Sequence, residues 1–135
     1  ALGIALQKPA ARVYCFDGDG ASIMHMGNMA IAASMKCTNY VHVVFNNGAH
    51  DSVGGQPTVG LNIDLCGIAK SMGYVGVLSV STAEALQAAL DDMRGKEGPL
   101  FLQVCVHKGS RKDLGRPTTT PVQNKEALMG FLKTL

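Results

Sequence analysis

YCFDGDGASIMHMG, residues 14–27, sets Asp19 between two glycines directly after an apolar run. A loop that binds phosphate ordinarily avoids negative charge, so the aspartate marks either a plain turn or a cation site. The flanks decide what carries it. RVYCFD (12–17) reads as a short buried strand and ASIMHMGNMAIAASMK (21–36) as the helix that follows. The turn therefore sits at the carboxyl end of a strand.

The same alternation continues outward. VHVVFN (41–46) reads as a second buried strand, followed by the polar, glycine-rich NNGAHDSVGGQPTVG (46–60), which is long for a connection and marks function. IDLCGIAKSMG (63–73) reads as a helix closed by glycine and VGVLSV (75–80) as a strand. Ser81-Thr82-Ala83-Glu84 reads as a capping box opening a helix to about Arg94. PLFLQVCV (99–106) is a fourth strand, HKGSRKDLGRPTTTP (107–121) a basic loop, and NKEALMGFLKTL (124–135) a last helix. ALGIALQKP, at the start, reads as the tail of a helix already under way, stopped at Lys8-Pro9, and suggests a piece of a longer chain. Strands alternating with helices predict an α/β fold with a mainly parallel sheet flanked by helices. Ligands in such sheets bind at the carboxyl ends of strands. Both GDG and NNGAHDS fall there.

The totals narrow the class. The chain has 135 residues, 47% of them hydrophobic and 16% charged, which describes an ordinary globular domain. Its formal charge of +2 is too small to argue for nucleic acid. No apolar run approaches the roughly 20 residues of a membrane helix. Cys15, Cys37, Cys66 and Cys105 are far apart and none stands at zinc-finger spacing from a histidine. They read as reduced core thiols in a cytoplasmic protein, with no structural zinc site.

A dinucleotide site is the first rival for the strand ends. Gly18 and Gly20 match the first glycines of G-x-G-x-x-G, but Ile23 holds the third position and Asn46-Asn47 stand where a ribose-binding acid belongs. A phosphate loop of the G-x-x-x-x-G-K-[ST] type does not occur. A cation bridging a diphosphate fits better. Magnesium takes oxygen ligands, usually one or two carboxylates with phosphate oxygens. Asp19 can supply the carboxylate, Asn47 an amide oxygen and Ala49 a backbone carbonyl, with a helix start nearby to meet phosphate.

Asp19 and Asn47 lie 28 positions apart. GDG followed by NN at about that interval resembles the thiamine diphosphate motif. The resemblance implies Asp19, Asn47 and the Ala49 carbonyl as Mg2+ ligands, with Gly18, Gly20, Ala21 and Ser22 at the diphosphate. Among the thiamine diphosphate-dependent 2-oxo acid decarboxylases, GDGASIMHMG, FNNGAHDSVGGQPT and GRPTTTPVQNKEALM are most similar to the phosphonopyruvate decarboxylases, with the sulfopyruvate decarboxylases as near relatives. The family implies that residues 1–135 are a C-terminal cofactor-binding domain, truncated at its N-terminus and lacking the pyrimidine-binding domain. It also implies a partner domain or subunit carrying the activating glutamate, a 2-oxo acid substrate and a homo-oligomer. A non-catalytic nucleotide-binding or scaffold domain of the same fold is the alternative from another class.

His50 is a candidate to face substrate, set against simple loop hydrogen bonding. Lys108, Arg111, Lys112 and Arg116 form a basic cluster after a strand, and Arg116, between Gly115 and Pro117, is the candidate for an anionic substrate group. His25 reads as a packing residue, His42 and His107 as structural. Met24, Met26, Met29 and Met35 read as helix core.

Overall fold

The computed structural model describes residues 1–135. Helix α1 (Leu2–Gln7) leads into β1 (Val13–Gly18), followed by α2 (Asp19–Met24), α3 (Gly27–Ser34) and β2 (Tyr40–Asn46). A two-stranded hairpin, β3 (Ala49–His50) and β4 (Gln56–Pro57), precedes α4 (Leu65–Met72). Then come β5 (Gly76–Val80), α5 (Ala83–Arg94), β6 (Leu100–Cys105) and α6 (Pro121–Thr134).

Four strands make one parallel sheet in the order β1-β2-β6-β5. The α/β expectation holds. Central β2 is buried at nearly every position, because helices cover both faces of the sheet. Val44, Phe101 and Tyr74 pack with Met29, Ala33, Leu65 and Ala69 on the face under α3 and α4. Val41, Val43, Leu100, Leu102 and Val104 pack with Ala89 and Met93 of α5 on the other. Alternate residues of one strand thus feed two cores. Full burial of a side chain such as Phe101 stabilises the fold by about 1.5–3 kcal/mol.

Four local expectations are corrected. The helix read over 21–36 starts earlier, at Asp19, and breaks between Met24 and Gly27, where His25 leaves helical geometry at φ −125°, ψ 34°. Gly27 offers little helical propensity to carry the backbone through. The stretch 46–60 is not all loop, since it folds into the β3–β4 hairpin. Gly54 (φ 117°) and Gly55 (φ 76°) make its turn, in a region glycine tolerates best. At α5 the cap is Thr82, whose Oγ1 accepts from the Ala85 N–H at 3.2 Å, so Glu84 stands one position too early to close a box. The capping box lies instead at Thr120 and Gln123, which start α6 at Pro121 and not at Asn124.

α6 contributes no buried residue to either core. No helix is long and apolar enough to cross a membrane.

Candidate functional site

Parallel pairing of β1 with β2 brings Gly18 opposite Phe45, so the GDG turn and the Asn46-Asn47 turn emerge side by side. Between them lies a cleft of about 430 Å³. Gly18, Asp19, Gly20 and Ala21 form one wall, and Asn47, Ala49 and His50 the other. Met24, Phe45 and Val106 add apolar surface.

Asp19 is only 1% exposed. The Thr58 hydroxyl donates to its Oδ2, and no hydrogen bond from the chain reaches Oδ1. No cationic side chain pairs with it. A buried carboxylate without a counter-charge is costly, and a bound cation removes that cost. The Gly60 N–H donates to Thr58 Oγ1 at 3.1 Å, and Asn46 Nδ2 donates to the Gly60 carbonyl at 2.7 Å. Residues 58–60 thereby clamp Asp19 from behind. A Cβ on Gly60 would stand 2.5 Å from Asp19 Oδ2 and 2.8 Å from Asn46 Oδ1.

Asn47 lines the cleft with its amide already oriented. Its Oδ1 accepts from the Ala49 N–H at 2.9 Å, and its Nδ2 donates to Asp51 Oδ2 at 2.8 Å. An amide oxygen has two lone pairs, so Oδ1 keeps one for another partner. Ala49 faces Pro57 across the hairpin, and proline has no N–H to give its carbonyl. The donors present, one carboxylate and two neutral oxygens, suit a hard divalent cation such as Mg2+. The His50 ring lies against Gly20, where any Cβ would overlap the imidazole. Gly20 is therefore required for the close approach of the two turns.

A second, open cleft of about 600 Å³ adjoins the first and shares Asp51 and Ser52 with it. Arg111 and Arg116 line it, whereas Lys108 and Lys112 do not. Asp51 Oδ2 also accepts from the Gly109 N–H at 2.7 Å and so ties the basic loop to Asn47. The Arg111–Asp113 pair, 3.4 Å apart and exposed, contributes little.

Ser22 stands apart from the other residues expected at the diphosphate. It lines a cavity of about 290 Å³ behind α2, which shares Ala21 with the cleft. Titratable groups around that cavity are shaped by burial. Desolvation holds the His42 imidazole below its ordinary range against the opposing pull of Asp17. It raises the phenols of Tyr40 and Tyr74 well above theirs, with Cys15 adding to both. On the same face of the sheet, at α4, burial also pushes the Cys66 thiol up, helped by Asp64. His25 borders the same cavity as Ser22.

Sequence reasoning gave no role at the site to Asn46, Asp51, Thr58 or Gly60. Asn46 was visible as the first of the paired asparagines, and Thr58 and Gly60 lie in the long polar stretch. Nothing in spacing reveals that a hairpin folds residues 58–60 onto Asp19.

The fold and the cleft define the class: a parallel α/β domain whose ligand site lies at the carboxyl ends of adjacent strands. The family described as thiamine pyrophosphate enzyme, C-terminal TPP binding domain, matches residues 1–104, and the chain belongs to it. Phosphonopyruvate decarboxylase of Streptomyces viridochromogenes is 35% identical over 133 residues, covering 98% of this chain and 33% of that protein. The enzyme of the same name from Streptomyces hygroscopicus is 37% identical over 120 residues, covering 89% and 30%. Sulfopyruvate decarboxylase subunit beta of Methanothermobacter thermautotrophicus is 33% identical over 109 residues, covering 81% and 56%. A solved structure assigned as a thiamin diphosphate-dependent enzyme from Mycobacterium smegmatis superposes with TM-score 0.64 at 27% identity, over 79% of this chain and 21% of that one. The chain spans about a third of the length of the phosphonopyruvate decarboxylases it matches.

Proposed function

We propose that this chain anchors the diphosphate of thiamine diphosphate through Mg2+, within an enzyme that decarboxylates 3-phosphonopyruvate to phosphonoacetaldehyde and CO2. The observation that carries the anchoring is Asp19, buried without a positive partner and with Oδ1 unbonded, in one cleft with Asn47 and Ala49. Asp19, Asn47 Oδ1 and the Ala49 carbonyl would hold the ion, with the backbone of Gly18, Gly20 and Ala21 nearest the phosphates. When bound, thiamine diphosphate supplies the electron sink for loss of CO2. The chain's own residues bind and orient. Thr58 and Gly60 fix the carboxylate, Asp51 fixes Asn47, and Met24, Phe45 and Val106 give the cleft an apolar wall. His50, against the GDG turn, faces the same cleft and is the candidate for hydrogen bonding at the reacting end of the substrate.

The phosphonate assignment draws on the relatives and on Arg116, which lines the adjoining cleft. A guanidinium fork suits a tetrahedral oxyanion. Sulfopyruvate is the second reading, favoured by the identity to the sulfopyruvate subunit, because a sulfonate offers the same oxygens with less charge. A pyrimidine-binding domain or subunit completes the site with the activating glutamate, in a homo-oligomeric assembly located in the cytoplasm. Release of CO2 from each acid by the complete enzyme separates the readings. Faster turnover of phosphonopyruvate, dependent on Mg2+ and thiamine diphosphate, supports the first. Preference for sulfopyruvate supports the second, and cofactor binding without turnover of either acid points to a non-catalytic domain.

A further inference from the structure

Cys15 and Asp17 lie two apart on β1 and so project from the same face of the sheet. Parallel register places His42 of β2 directly beside Cys15. A thiol sulfur, a carboxylate oxygen and an imidazole nitrogen thereby come within 4.8 Å of one another. His42 Nε2 is 2.9 Å from Asp17 Oδ2, and the other ring nitrogen, Nδ1, is 3.3 Å from the Tyr74 hydroxyl. The three groups open into the cavity behind α2.

A second observation points to a ligand there. Ser22 is 4% exposed and lines this cavity, yet its Oγ has no hydrogen-bond partner. A buried hydroxyl left unpaired is unfavourable, and a metal-bound water would satisfy it.

We propose that Cys15, Asp17 and His42 form a binding site for a borderline-soft divalent transition metal, zinc by preference, distinct from the cation site at Asp19. Thiolate with imidazole selects zinc over magnesium, which prefers oxygen. Zinc bonds of about 2.0–2.3 Å put tetrahedral ligand atoms roughly 3.3–3.7 Å apart. His42 Nε2 and Asp17 Oδ2 are 2.9 Å apart and no pair exceeds 4.8 Å, so adjustments of about 1 Å bring the three atoms to that spacing around an ion. Binding moves Asp17 off His42 Nε2, which becomes the metal donor, while Nδ1–H donates to Tyr74 as the outer partner that orients the ring. The Cys15 thiol gives up its proton to solvent on binding, so protons are released as metal enters. Water takes the fourth position, within reach of Ser22. Spacing along the chain hid the cluster, because its members meet across neighbouring strands and not within one loop.

Cobalt reports on such a site through the absorption of a cobalt–thiolate bond. The full chain, in excess Mg2+, is titrated with Co2+ and back-titrated with Zn2+. One equivalent should give the thiolate band, with zinc displacing it and magnesium leaving it unchanged. Cys15→Ser should abolish the band, Asp17→Asn should weaken Co2+ at least tenfold, and Tyr74→Phe about 10–100-fold. Asp19→Asn should retain it, which separates this site from the cofactor's. Circular dichroism checks each fold. If Cys15→Ser does not fold, Asp17→Asn carries the test alone. No thiolate band at millimolar Co2+, a band that survives Cys15→Ser, or unchanged affinity in Asp17→Asn overturns the proposal.

Discussion

Gly60→Ala tests whether residues 58–60 really hold the Asp19 carboxylate in place. The added methyl would stand 2.5 Å from Asp19 Oδ2, 2.8 Å from Asn46 Oδ1 and 2.9 Å from Asp19 Cβ. Ordinary contact begins at 3.4 Å, so the carboxylate oxygen must retreat by about 0.9 Å. It has little freedom to do so. Asp19 is bonded to Thr58, and Asn46 is bonded to the Gly60 carbonyl and to the Gly48 N–H, all within the same small cluster. Overpacking of this kind costs about 1–3 kcal/mol. Stretching or losing a hydrogen bond to a charged group costs about 1.5–3 kcal/mol more when complete. The two overlap, and we expect a destabilisation of about 2–4 kcal/mol. Urea unfolding followed by circular dichroism measures it, with the m-value unchanged. Gly3→Ala is the control, since no atom lies within 4 Å of its Cβ position. A loss below about 0.5 kcal/mol for Gly60→Ala, the range of an ordinary surface change, would refute the clamp.

The residues 1–135 alone should release no CO2 from phosphonopyruvate even with Mg2+ and thiamine diphosphate. A missing proton-transfer partner commonly costs about 10²–10⁴ in rate, and turnover by the purified chain would contradict the division of labour proposed here. Arg116→Lys in the complete enzyme keeps the charge and loses the fork; kcat/KM for phosphonopyruvate should fall about tenfold or more, and a change within twofold removes Arg116 from the substrate site. Cys66, whose thiol burial pushes up, should alkylate at least about tenfold more slowly at pH 8 than in the urea-unfolded chain. The sign follows from the thiolate fraction, which at that pH falls as the pKa rises. Equal rates by peptide mass spectrometry would show that the burial is not maintained.

The positions of the four sheet strands along the chain were legible because each is a short apolar run bounded by turn residues. β2 and β6 read clearly for a further reason: burial on both faces leaves almost no polar interruption. The helix over 21–36 misled because its apolar content hides the break at His25, after which the second segment restarts at Gly27. Asp19 and Asn47 were legible as strand-end residues, since type and position suffice to place them. Their support was not. The Thr58 hydroxyl reaches Asp19 only because the glycine turn at 54–55 folds the hairpin back, a contact 39 residues apart in the chain. Ser22 is adjacent to the motif in sequence, yet it borders the cavity behind α2 and does not line the cleft.

The central claim is that Asp19 holds the cation through which diphosphate binds. Isothermal calorimetry of thiamine diphosphate on the complete enzyme, with and without Mg2+, tests it most directly, using Asp19→Asn to remove the charge while keeping the shape. We predict Mg2+-dependent binding in the wild type and a loss of at least about 100-fold in affinity in Asp19→Asn, about 2.7 kcal/mol. Equal affinity in the two proteins, or wild-type binding indifferent to Mg2+, would contradict the account.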